Sequence, residues 1–169
     1  MLTETQTYIE RLGEMRGNML KALDGLNSAG LNWKPTRRET NSLFALATHL
    51  IGSERHWIHR VIGGKTIERD RDAEFRARGS DLRPLREAFD SAARESETIL
   101  AQLSAADLDA TRETTNYRTI TVRWCILHLL EHYAEHVGQM TLTRQVWEAK
   151  SQGARRTRKR AKAAKKVKR

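Results

Sequence analysis

Two histidines four residues apart, His132 and His136, stand in the middle of the stretch Thr121–Trp147, TVRWCILHLLEHYAEHVGQMTLTRQVW. Steps of three and four along it pick out Val122, Cys125, Leu129, His132, His136, Gln139, Thr143 and Val146 as the inner seam of one long helix. Helical geometry places residues four apart about one turn from each other on one face, so both imidazoles can reach a single metal ion. Two ligands fall short of the three or four that such an ion takes, and a hydrogen-bonded pair of core histidines satisfies the same spacing.

A third ligand has to come from another element. The segment LFALATHLIGSERHWIHRVI reads as a second helix, capped by Ser42, stopped at Gly63-Gly64 and buried along Leu43, Leu46, Leu50, Trp57 and Val61. His49 borders that stripe, whereas His56 and His59 lie among Glu54, Arg55 and Arg60 and read as solvated surface. Glu54, Glu131 and Glu135 are acidic alternatives off the inner seams. His128 lies one turn before His132, at the edge of the core.

Two further helices complete the frame. Tyr8, Leu12, Met15, Met19, Leu23 and Leu26 mark the first, with Arg16 among its polar faces. Leu85, Ala88, Phe89, Ala92, Ile99, Leu100 and Leu103 mark the third, with Ser80 or Asp81 as its cap and Pro84 in its first turn. The loop 27–41 joins helices one and two. The charged stretch KTIERDRDAEFRARG is a longer crossover between helices two and three. The expected fold is all-α, a four-helix bundle spanning residues 1–150, with the metal-binding side chains projecting into its core.

The formal charge of +10 belongs to the end of the chain. Residues 151–169 carry Arg155, Arg156, Arg158, Lys159, Arg160, Lys162, Lys165, Lys166, Lys168 and Arg169 and no acid, leaving 21 basic and 21 acidic residues before them. This tail lacks an apolar stripe, so disorder is expected of it. It reads either as a sequence-independent grip on nucleic-acid phosphates or as a solubilising extension. A lone cysteine, Cys125, makes no intramolecular disulfide; no apolar run reaches membrane-spanning length and the first residues have no leader pattern, so a cytoplasmic protein is expected.

In NSLFALATHLIGSERHWI and RWCILHLLEHYAEHVGQM the chain resembles the DinB-like, or damage-inducible, metal-binding four-helix bundles, which include thiol transferases acting with bacillithiol or mycothiol. The second segment follows the family's pattern of His, three residues, His, then Gly-Gln, and the resemblance covers roughly residues 1–150. It implies an up-down-down-up topology, which accounts for the long crossover, and a metal triad of His49, His132 and His136. It also implies an ion with an open position, where a thiol or water is activated for transfer or hydrolysis, and a thiol cosubstrate; zinc or nickel is expected, since neutral imidazoles suit both. Glu131, Glu135, Gln139 and His128 are candidates for supporting the ligands. Self-association as a homodimer is expected from the family's habit and from the four tryptophans. The competing reading is a binding protein without chemistry, associated with a metal or, through its tail, with nucleic acid.

Overall fold

A computed structural model describes the backbone of residues 1–36, 39–114 and 119–167 and the side chains of these as far as Gly153. Helix α1 (Thr3–Leu23) buries Tyr8, Leu12, Met19 and Leu23 and ends before Gly25, whose φ of +71° suits a residue without a side chain. A single turn, α2 (Ser28–Leu31), follows, with the Asn27 side chain accepting from the Gly30 amide at 3.0 Å.

The Ser42 hydroxyl caps α3 (Leu43–Glu54) by accepting from Ala45 N at 3.2 Å. At Glu54 the helix widens without breaking into a π-helical segment, Arg55–Ile62, which closes at Gly63 and Gly64. The expected crossover contains a further short helix, α4 (Arg71–Arg76), capped by Asp70. Helix α5 (Arg83–Ala101) starts at Leu82 with Pro84 in its first turn and without a side-chain cap, although Asp81 accepts from Arg83 N at 2.9 Å. Helix α6 (Ala105–Asp109) carries a Ser104/Asp107 capping box. Two-residue strands, β1 (Thr111–Arg112) and β2 (Ile120–Thr121), then pair antiparallel and lead into α7 (Val122–Val167).

One apolar core, shared by α1, α3 with its π extension, α5 and α7, holds these elements together. On α7 the fully buried residues are Val122, Cys125, Ile126, Leu129, Tyr133 and Met140. The stripe is therefore turned by about one position from the seam expected: Gln139 and Val146 are exposed, and His132 and His136 stand half-buried at its border. Trp33 packs on Trp147 with ring centroids 5.7 Å apart, and Trp57 on Trp124 at 5.8 Å, so the four tryptophans pair within the chain.

Three polar residues assigned to the surface lie inside. Arg16, on α1, is 4% exposed, Glu54 is 1% exposed and His59 is fully enclosed. Arg16 forms an ion pair with Glu54, whose carboxylate also accepts from Tyr133 Oη at 2.7 Å and from Ser96 Oγ at 2.6 Å. His59 Nε2 lies 3.0 Å from Ser96 Oγ and 3.1 Å from the Ala92 carbonyl. The π segment explains the His59 error. Each residue there advances by less than the 100° of an α-helix, so a reading in steps of 3.6 drifts out of phase after Glu54. Trp57 is buried as expected, and Ile58 and Ile62 are buried in place of Val61.

The α7 helix continues to Val167, through the segment whose composition predicts disorder; alanine, lysine and arginine all have high helix propensity. The ten basic side chains proposed to contact phosphates lie outside the described side chains. Among the described residues no helix is long and apolar enough to cross a membrane.

Candidate metal centre

Helices α3 and α7 bring His49, His132 and His136 together. Among the described residues they are the group with metal-ligand character, each offering one nitrogen within 4.8 Å of the others. The ring of His49 lies 5.0 Å from that of His132 and 5.2 Å from that of His136, centroid to centroid. His132 Nε2 stands 3.2 Å from His49 Nε2 and 3.1 Å from His136 Nε2.

Each ring is held through its other nitrogen. His49 Nδ1 lies 2.9 Å from Glu74 Oε2, His132 Nδ1 3.3 Å from Ser53 Oγ, and His136 Nδ1 2.9 Å from Gln139 Oε1. Gln139 in turn donates from Nε2 to Glu135 Oε1 at 3.2 Å, which turns its carbonyl oxygen towards His136. Glu74 accepts two bonds from Arg69, at 2.7 and 2.9 Å, and this pairing together with His49 outweighs the cost of burial and holds its carboxyl down to about 2.

These partners decide the tautomers. An ionised carboxylate and an amide oxygen only accept, so His49 and His136 carry their protons on Nδ1 and present Nε2 lone pairs inwards. A neutral His132 has one proton and satisfies at most one of its two Nε2 contacts. Adding protons is opposed: burial, with the neighbouring imidazoles adding to it, pushes His132 down to about 3, and burial also lowers His49. A divalent cation accepts three nitrogen lone pairs at once, and at metal–nitrogen lengths of about 2.0–2.1 Å it brings ligand atoms to roughly this spacing. The donor set fits the ion.

The residues expected to support the ligands separate. Gln139 touches His136 directly and Glu135 acts through it, whereas Glu131 is exposed and is not a partner of the three rings. His128 packs against Trp124, Trp57 and His132, with its ring centroid 6.2 Å from that of His132. Ser53, Arg69 and Glu74 were missed. Ser53 was visible one turn beyond His49, but Arg69 and Glu74 belong to the crossover, whose charges follow no period. Burial raises the Cys125 thiol to about 11, which suits a core residue better than a nucleophile.

Beside the centre, a cavity of about 360 Å³ lies against Gln139, the residue that holds His136. Leu46, Leu142 and Val146 give it an apolar wall, and Thr40, Asn41 and Thr143 a polar one. Leu142 is 61% exposed and Val146 43% exposed.

The fold is shared with two solved structures. A DinB-like protein from Bacillus cereus ATCC 10987 superimposes with a TM-score of 0.68 at 16% identity, covering 85% of this chain and 92% of that one. A conserved protein from Enterococcus faecalis gives 0.66 at 14% identity, covering 86% and 97%. No curated protein is matched. The family model described as mycothiol-S-transferase matches residues 8–149, which hold the triad and all of its hydrogen-bonding partners, and the chain belongs to that family.

Proposed function

We propose that the protein is a divalent-metal-dependent thiol S-transferase, with zinc or nickel held by the Nε2 atoms of His49, His132 and His136. The convergence of three imidazoles with their Nδ1 atoms engaged is the observation that carries this reading. When bound, the ion supplies Lewis acidity that lowers the pKa of a coordinated thiol or water. The family description makes mycothiol, a low-molecular-weight thiol, the first cosubstrate to consider. A hydrolase using water is the nearest variant of the same site.

The surrounding residues keep the three rings aimed. Glu74, Ser53 and Gln139 engage the Nδ1 atoms, leaving the lone pairs free for the ion. The cavity beside Gln139 is large enough for the body of a small electrophile, with Leu46 and Leu142 for apolar contact. The up-down-down-up helix order of DinB-like bundles, part of the same reading, lets α3 and α7 face each other along the site.

Metal analysis of the purified protein beside His136→Ala tests the site, and thiol consumption with mycothiol as cosubstrate tests the reaction. Equal metal content in the two proteins overturns the proposal; metal lost with His136 but no thiol-dependent turnover restricts it to a metal-binding protein.

A further inference from the structure

The crossover supplies something that the four long helices do not. Glu74, on α4, reaches into the gap beside α3 and is 8% exposed. Its carboxylate occupies the space where a side chain at position 52 would begin: a Cβ added to Gly52 would overlap it. The next residue, Phe75, stacks on the outer face of the His49 ring at 4.2 Å and 29°, and the Arg71 guanidinium lies 4.9 Å from the Phe75 ring centre. Arg69 grips both Glu74 oxygens and so fixes the plane of the carboxylate against His49 Nδ1.

Six residues are too few for a helix that is stable alone, so α4 keeps its place through contacts of this kind. Glu74 and Phe75 both bring theirs to His49. We infer that Glu74 is a positioning residue for the metal ligand His49, that Gly52 is its seat, and that α4 is a latch whose docking and cation binding stabilise one another. Orientation of the ring by α4 favours the ion, and by thermodynamic reciprocity the ion favours docked α4. The inference rests on the metal reading proposed above and adds to it a part of the chain outside the long helices.

The test uses full-length protein and Zn²⁺ alone, with affinity measured by competition against a chromophoric chelator. Glu74→Ala and Gly52→Ala, which remove the carboxylate and expel it respectively, are expected to weaken zinc binding by about 10- to 100-fold. Glu74→Gln, which keeps the shape and an acceptor oxygen, is expected to retain more affinity than Glu74→Ala. Amide hydrogen exchange supplies a readout that a purely structural role would not move: Zn²⁺ should slow exchange across 71–76 in the wild type and not in Glu74→Ala. Zinc affinity within twofold of wild type in both Glu74→Ala and Gly52→Ala, or exchange across 71–76 indifferent to Zn²⁺, overturns the latch. If His136→Ala abolishes binding in the same series, the metal site itself survives that result; if His136→Ala binds zinc as the wild type does, site and latch fall together.

Discussion

His49 Nε2 and His132 Nε2 face each other at 3.2 Å although 83 residues separate them in the chain. A neutral His132 satisfies at most one of its two Nε2 contacts, so a cation that accepts all three lone pairs at once is expected to stabilise the arrangement. Zinc at about one hundred times its dissociation constant should add about 2.7 kcal/mol to folding stability, read as a rise in melting temperature that a chelator reverses. His132→Ala should abolish the rise, leaving melting indifferent to both zinc and chelator. A metal-dependent rise that persists in His132→Ala would remove that histidine from the site.

Arg16 and Glu54 make a different claim on the interior. Removing Glu54 leaves the buried Arg16 guanidinium relying on the half-exposed Glu97, 3.0 Å away, and breaking a buried pair costs about 3–5 kcal/mol, whereas replacing both members with apolar residues is often close to neutral. Glu54→Ala should therefore destabilise strongly in urea unfolding, and Arg16→Met with Glu54→Leu should be markedly more stable than Glu54→Ala alone. Tyr133→Phe, which deletes one hydrogen bond to the charged carboxylate, should cost about 1.5–3 kcal/mol. A loss in the double variant equal to the sum of the losses in Arg16→Met and Glu54→Leu would show that the pair is not coupled.

The helices and the His132–His136 pair were legible because both follow a period, whereas His49 joined them through its place beside a buried stripe and through the family resemblance. Apolar residues three and four apart mark α1, α3, α5 and α7, and the four-residue step from His132 to His136 survives inside a regular α-helix. Arg16 and Glu54 were not legible, because a charged residue at the edge of a stripe reads as solvated until its partner is known, and the partner is 38 residues away. His59 was lost at the π-helical transition, where the period itself changes. Glu74 escaped for a third reason: it reaches His49 from a segment organised by capping and ion pairing, which leaves no apolar repeat.

The buried imidazoles set an acid limit for the metal-free protein. His49, His59 and His132 are all lowered chiefly by burial, His132 to about 3, so in this range the unfolded chain binds more protons than the folded one. Their contribution to stability is complete above about pH 6.5, the ordinary histidine value, and is lost as pH falls towards the depressed values. Glu74 enters only lower down, between its ordinary 4.5 and about 2. Urea midpoints measured with chelator should therefore fall between pH 7 and pH 5, and His59→Asn should show a shallower fall. Midpoints that are flat or rising over this interval would contradict the assignment.

The last prediction concerns the end of the chain, where charge alone carries the argument. Ten cationic residues and no acid follow Lys150, while the remainder is balanced. Neutralising several phosphates releases counterions, so full-length protein should bind duplex DNA weakly and without sequence preference, with log affinity falling linearly as log salt rises. Ending the chain at Lys150 removes all ten charges and should abolish this binding. Zinc content should be unchanged, because His136 and every partner of the triad precede the cut. DNA affinity that survives the truncation would assign it to the bundle, and affinity independent of salt would exclude a phosphate grip of this kind.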